Sequence, residues 1–285
     1  VPQPAGTPPD VVGRIVSIKL SERLGQQMVI ENRPGAGGTV GATAAASAAP
    51  DGYTLLLAST GTMVIGPALY PNAGFHPSRS FTPIGPFASA PQFLAVNPAL
   101  PAKTAQEFVA LAKSQPGRLN YGTGGNGSPP HIVMELFKAT AGIDIVHVPY
   151  KGPQLAPLLA GEVQATFAQP VMISSPAQAG RVRVLAVADA ARHPSFPDVP
   201  TFNEIGIPGM EASGWLGLVA PRGTPPEIVT RLNQAIRQAL ASAELRELLA
   251  KAGHTPMEST PEQFATFLAS ETDKWARAVK LSGAR

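Results

Sequence analysis

The segment LNYGTGGNGSPPHIVMELF, residues 119–137, constrains the fold more than any other stretch. Leu119 and Tyr121 read as the end of a short strand, and residues 123–128 then hold three glycines before an amphipathic run begins. Ser128 suits a helix N-cap, and Pro129 and Pro130 suit the first helical positions, where a missing N–H costs nothing. A strand, a glycine-rich loop and a capped helix together present backbone N–H groups at the positive end of a helix dipole, an arrangement suited to an anion. Taken alone, one such loop is equally a plain connector. Similar loops elsewhere in the chain favour the anion site.

Residues 4–9, PAGTPP, feed a helix expected to start at Asp10 as N-cap and to run through Val12, Val16 and Leu20 to a stop at Gly25. A short strand is expected at 28–31. Gly35, Gly37, Gly38 and Gly41 then precede an alanine-rich helix capped by Thr39. Their spacing is not that of a dinucleotide fingerprint, and close packing of helix on strand accounts for them better. Residues 53–58 form a continuous apolar strand that ends in Ser59, Thr60, Gly61 and Thr62. Further strands are expected at 93–96, 145–148, 163–167, 182–188 and 215–220. Helices are expected at 105–114, capped by Thr104, and at 228–240, 244–251 and 261–281. Alternation of this kind implies an α/β chain with mainly parallel sheets flanked by helices, and ligands that bind beyond the carboxyl ends of strands. The loops in question lie near 5–10, 59–62, 123–128 and 150–152.

A length of 285 residues allows one large or two medium domains. The net charge of +3 comes from scattered Lys and Arg, with no basic run interleaved with aromatics, so nucleic acid is not an expected partner. The absence of cysteine excludes disulfides, thiolate metal sites and a cysteine nucleophile. No apolar run approaches the roughly 20 residues of a membrane span. The opening Val1-Pro2-Gln3-Pro4 carries no signal-peptide pattern and reads as a trimmed start. His131 and Glu135 share a helix face at i and i+4, but the other histidines are dispersed, and a surface or capping role suits His131 better than a metal. No G-x-S-x-G elbow and no G-x-x-x-x-G-K-[ST] loop occurs. Asp144 and Asp189 are lone carboxylates, Lys151 has no evident partner, and Trp215 reads as core. Nothing in these residues makes a convincing active site, and none of them calls for a metal or a cofactor.

A set of longer motifs adds to this reading: ENRPGAGG at 31–38, APDGYTLL at 49–56, LNYG..GNG...H at 119–131, DIVHVPYKG at 144–152, DVPTFNEIGIPG at 198–209, and W.GL.AP.GTP at 215–225. In combination and order they resemble the Bug family, the TctC-type solute-binding receptors of tripartite tricarboxylate transporters. The resemblance implies a periplasmic, monomeric two-domain binding protein of the Venus flytrap type. One domain would comprise 1–97 and 215–285 and the other 98–214, with hinge strands at 93–97 and 215–220. It also implies an organic acid in the interdomain cleft, a carboxylate or dicarboxylate with aromatic acids included, carried to the membrane subunits of a tripartite transporter. A sensory co-receptor that presents its closed form to a membrane kinase is the alternative, and an enzyme on the same frame a third. The residues carried over are Ala5, Gly6, Thr7 and Asp10; Thr60, Gly61 and Thr62; Thr123, Gly124, Asn126 and Ser128; and Tyr150, Lys151 and Gly152. Ala168 and Gln169 join them where the family commonly has an acid, and Met63 and Gly66 stand where polar residues are frequent. These departures imply a less polar pocket with no carboxylate for a ligand ammonium, since an unpaired buried charge is costly. A carboxylate with an apolar or aromatic body is then favoured over an amino acid.

Overall fold

The computed structural model describes residues 1–70, 73–150 and 154–282. Helices α1 (Pro8–Leu24) and α2 (Thr39–Ala46) precede strand β1 (Leu56–Ser59), and a wide helical turn (Gly61–Ile65) then leads into α3 (Gly66–Leu69). Next come α4 (Pro77–Ser80), β2 (Phe81–Ala90), β3 (Phe93–Val96), α5 (Ala105–Ser114) and β4 (Asn120–Thr123). They are followed by α6 (Pro129–Ala141), β5 (Val146–Pro149), α7 (Leu155–Ala160), β6 (Ala165–Ala168), α8 (Pro170–Gln178) and β7 (Arg183–Val187). The chain closes with β8 (Gly214–Pro221), α9 (Pro226–Leu240), α10 (Ala243–Lys251), β9 (Thr255–Pro256) and α11 (Pro261–Ser282). Two compact units result: Val1–Ser89 with Gly214–Arg277, and Ala90–Ser213 with the end of α11 from Ala278.

The first unit holds a four-stranded sheet in the order β1-β8-β2-β9. β1 pairs antiparallel with β8, and β2 antiparallel with β9. Its core joins Val12, Val16 and Leu20 of α1 to Leu57, Ile84, Phe87 and Leu218 of the sheet and to Leu232, Ile236 and Leu240 of α9. The i, i+4 spacing of those α9 residues gives one apolar stripe, which is the face buried. A polar anchor lies beside this core. Glu271, 4% exposed, accepts the indole N–H of both Trp215 (3.1 Å) and Trp275 (2.8 Å), and Lys274 pairs with the same carboxylate. Trp215 is thus core, as its sequence context suggests, and its backbone N–H donates to Thr60 Oγ1.

The second unit holds a five-stranded sheet in the order β5-β4-β6-β3-β7. β4 runs parallel to both β5 and β6, while β3 runs antiparallel to β6 and β7. The second sheet is therefore mixed, and the β1–β8 and β2–β9 pairs of the first are antiparallel, so the sheets are not mainly parallel. The expectation of parallel pairing rests on strand–helix alternation, which is interrupted where β3 follows β2 across only Pro91 and Gln92, and where β8 returns against β1. Under this sheet Phe108, Phe137, Phe167 and Phe202 pack as a ring cluster, with centroids 5.1 to 6.2 Å apart.

Several local expectations change. The N-cap of α1 is Thr7, so Asp10 sits inside the first turn, and Thr39 begins α2 behind Gly38. Thr104 does cap α5, accepting the Glu107 N–H at 3.1 Å. Residues 28–31 form no sheet strand, although Val1 bonds to the backbone at Glu31 and Arg33. Its ammonium donates to Glu31 O (2.8 Å) and its carbonyl accepts from Arg33 N–H (2.9 Å). β2 is unexpected because Pro83 and Pro86 lie within it, and proline cannot donate to a ladder.

The Glu271 anchor gives a direct test. Glu271→Ala leaves two buried indole donors without an acceptor and should lower unfolding free energy by about 2–4 kcal/mol in urea titration. Glu271→Gln, which keeps one acceptor oxygen, should lose less. An unchanged midpoint for both would remove the anchor's role.

Candidate functional site

Because β5, β4 and β6 are mutually parallel through β4, their carboxyl ends share one edge of the second sheet. That edge brings together Thr123 at the end of β4, Tyr150 just beyond β5, and Ala168 with Gln169 at the end of β6. Residues 124–128 leave it and turn into α6. The Tyr150 N–H donates to Thr123 O at 2.9 Å, tying two of these ends directly. Gln169 is the N-cap residue of α8, so a second helix also starts here. Four of the sequence-predicted loci in this unit thus converge. Lys151 and Gly152 lie outside the described residues.

The loop's own hydrogen bonds modify the simple picture of free amides. Gly125 N–H donates to Thr123 Oγ1 (3.2 Å), and Gly127 N–H donates to His131 Nδ1 (3.1 Å). Ser128 contributes both its N–H and its Oγ to Gly125 O, at 3.3 and 2.7 Å. Ser128 therefore occupies the N-cap position without a side-chain cap bond. Pro129 and Pro130 have no N–H, and Ile132 already bonds back to Ser128 O. Among the described residues, the N–H groups of Gly124 and Asn126 are the loop amides left without an acceptor. The positive φ of Gly125 (116°) and Gly127 (73°) makes this winding possible, since side chains with a Cβ rarely adopt such angles.

Behind the loop stands a polar column. His131, from α6, stacks on His147, from β5, with centroids 4.1 Å apart, and His147 stacks on Tyr121 of β4 at 4.9 Å. The Tyr121 hydroxyl donates to Glu135, which also accepts from Lys138 at 2.9 Å. Burial pushes the His147 imidazole down to about 4, helped by the neighbouring His131, and burial lowers His131 as well. Burial and the bond to Glu135 raise the Tyr121 hydroxyl. His131 and Glu135, the pair weighed as metal ligands from sequence, are each committed to another partner. Among the described residues, no group of three or more His, Asp or Glu side chains could hold a metal ion.

In the first unit the predicted residues also gather. Gln3 Nε2 donates to Thr62 Oγ1 (2.8 Å) and to Ser59 Oγ (3.3 Å), joining the loop before α1 to the end of β1. Thr60, Gly61 and Thr62 begin a helical turn rather than an open loop, with Thr60 and Thr62 buried. Gly38 lies against Thr62 so closely that a Cβ there would sit 2.7 Å from Thr62 Oγ1. Ala5 and Gly6 are exposed, and the Thr7 hydroxyl donates to Pro4 O at 2.7 Å. Asp10 is 1% exposed and turned inward. Its burial opposes ionisation, but bonds from Arg14, Asn32 and the Gly6 N–H outweigh this and hold its carboxyl at about 2. Asp10 therefore shapes the loop that carries Ala5, Gly6 and Thr7. Gln3 escaped the sequence reading because nothing in its neighbourhood marks it. Among the described residues its Oε1 is buried without a hydrogen-bond partner, as is Gln92 Oε1 in the second unit.

A groove of about 640 Å³ in the first unit is lined by Val16, Leu20, Phe87, Leu218 and parts of 26–31 and 53–57. It contains none of the predicted site residues. Among the described residues no helix is long and apolar enough to cross a membrane.

The family described as "Tripartite tricarboxylate transporter family receptor" (TctC) matches residues 4–283. Protein BugT of Bordetella pertussis is 36% identical over 288 residues, covering 100% of this chain and 88% of that protein. Among solved structures, MatC from Rhodopseudomonas palustris with bound malate is 35% identical, with a TM-score of 0.79 over 98% of this chain and 97% of its own. Rpa4515 of R. palustris with adipate is also 35% identical, with a TM-score of 0.83 over 100% and 96% of the two chains. The fold they share is the periplasmic binding protein fold, two α/β units with mixed sheets flanked by helices.

The titrating groups set an acid limit. His131 and His147 have folded pKa values below the usual 6.5, so the stability they contribute is complete above that value and is lost as pH falls towards 4. Asp10 acts lower, its contribution being complete above 3.8 and lost as pH falls through about 2. Urea midpoints should therefore fall in two stages on acidification from pH 7. His193 and His254 are lowered by burial too and add to the first stage, so His147→Phe, which keeps the ring stack, should reduce that stage without abolishing it and leave the second. A single stage unaffected by His147→Phe would contradict this assignment.

Proposed function

The chain belongs to the TctC family of tripartite tricarboxylate transporter receptors, and from that premise we propose that it captures a small organic acid in the periplasm for the membrane subunits of such a transporter. The family consists of periplasmic solute-binding receptors, so the chain is a receptor and not an enzyme. The observation that carries the ligand class is the shared edge of β5, β4 and β6. Two helices start there, and the donors of Gly124 and Asn126 stand beside Thr123, Tyr150 and Gln169. Malate and adipate in two relatives support a carboxylate as the group these donors hold. Thr60, Thr62 and the loop at 4–7 are the corresponding residues of the first unit, and Gln3 positions Thr62 by donating to its Oγ1.

Ala168 narrows the class further. It is 1% exposed at the end of β6 and offers no carboxylate to a ligand ammonium. Desolvating an ammonium without a counter-charge costs several kcal/mol, so an amino acid is disfavoured relative to an acid whose remainder is apolar, aromatic or a second carboxylate. Recognition mostly by amides and hydroxyls rather than by Arg or Lys makes affinity only modestly dependent on salt.

A thermal-shift screen with malate, adipate, benzoate and glutamate, followed by calorimetry on the hits, tests this reading. A true ligand at 100 times its Kd should stabilise the protein by about 2.7 kcal/mol. At least one of malate, adipate and benzoate should raise the Tm, glutamate should not, and Asn126→Ala should weaken the hit by roughly fivefold through loss of one hydrogen bond. Tight binding of glutamate, with no response to the other three acids, would overturn the proposal.

A further inference from the structure

The loop at 124–128 is held from behind by two imidazoles that the carboxylate-binding role does not itself require. His131 Nδ1 accepts the Gly127 N–H at 3.1 Å. His147 Nε2 lies 2.6 Å from Thr123 Oγ1, the same hydroxyl that accepts the Gly125 N–H. The two rings are parallel within 10° and 4.1 Å apart, so each limits how far the other can turn. A nitrogen that accepts a hydrogen bond carries no proton, so the Gly127 contact exists only for the neutral His131 tautomer protonated on Nε2. Gly127 lies one residue from Asn126, the donor placed at the ligand, and at its left-handed φ of 73° it has no Cβ to restrict the backbone, so the bond from its N–H is what fixes this peptide.

We propose that His131 is the positioning residue of this loop, holding Gly127 as a neutral acceptor and releasing it on protonation, so that carboxylate binding weakens as the medium becomes acidic. This rests on the reading of the loop as part of the carboxylate site. The ionisable groups around the pair are Glu135 and Lys138 of α6, Tyr121 of β4 and the partner imidazole itself. Glu135 would favour a proton on His131, but its carboxylate is already shared by Tyr121 OH and the Lys138 ammonium. Lys138 opposes a second positive charge, as a protonated His147 would at ring-stacking distance. Burial lowers both imidazoles, so the release belongs to clearly acidic conditions rather than to neutrality.

Two substitutions separate the parts of the argument. His131→Asn places an amide oxygen near the position of Nδ1 and cannot titrate, whereas His131→Phe keeps the ring stack and removes the acceptor. The protection factor of the Gly127 amide, read by hydrogen exchange without ligand, reports the loop. Calorimetry with malate and adipate between pH 7 and 4 reports binding, and the ratio of wild type to His131→Asn cancels protonation of the acids themselves. The expected result is loss of Gly127 protection in wild type on acidification, with affinity falling roughly fivefold relative to His131→Asn, as for one lost hydrogen bond. His131→Phe should show an unprotected Gly127 and about fivefold weaker binding already at pH 7. Superimposable pH profiles for wild type and His131→Asn, or a protected Gly127 in His131→Phe, would overturn the proposal. If Gly127 follows pH as expected while neither acid binds, the loop latch stands and the carboxylate reading falls.

Discussion

The parallel pairing of β4 with both β5 and β6 is the constraint on which the second unit's site depends. Strands that run the same way finish on the same edge, and each must leave that edge by a loop whose amides the ladder no longer satisfies. Thr123, Tyr150 and Gln169 meet there for that reason and not because their side chains attract one another. A reversed β4 would send the glycine loop to the opposite end of the sheet. The antiparallel strand β3 does not disturb this, since it lies on the far side of β6 from β4.

Polar satisfaction then decides which donors remain. Most of the amides in the glycine loop are used internally, by Thr123 Oγ1, His131 Nδ1 and Gly125 O. The loop is consequently a shaped surface with few outward donors rather than a ring of unpaired N–H groups. The first unit follows the same logic with different chemistry. The buried Asp10 carboxylate accepts from Gly6, Arg14 and Asn32, which fixes the loop before α1, and Gln3 links that loop to Ser59 and Thr62. In both units a buried group stands behind the exposed backbone and sets its course.

What the sequence makes legible is where backbone must bend and where it must be straight. Gly124, Gly125 and Gly127 followed by two prolines mark a strand-to-helix turn, and the apolar spacing of α9 marks a buried face. Thr104 is readable as a cap because its partner, Glu107, lies three residues away. Contacts between distant segments are not readable in this way. Nothing near Asp10 announces Asn32, nothing near Gly127 shows that His131 will accept its N–H rather than cap or bind metal, and Gln3 has no local pattern at all. β2 is hidden by Pro83 and Pro86, whose penalty applies only where a ladder N–H is needed. The mixed sense of the sheets likewise depends on long-range returns, β8 onto β1 and β3 between β6 and β7, that periodicity does not encode.

The most direct measurement of the central claim is a backbone amide chemical-shift map on titration with malate and adipate. The account predicts that the second unit's response concentrates at Gly124, Asn126, Tyr150 and Gln169, the residues at the shared strand edge. A response confined to the groove lined by Val16, Phe87 and Leu218, with that edge silent, would contradict it.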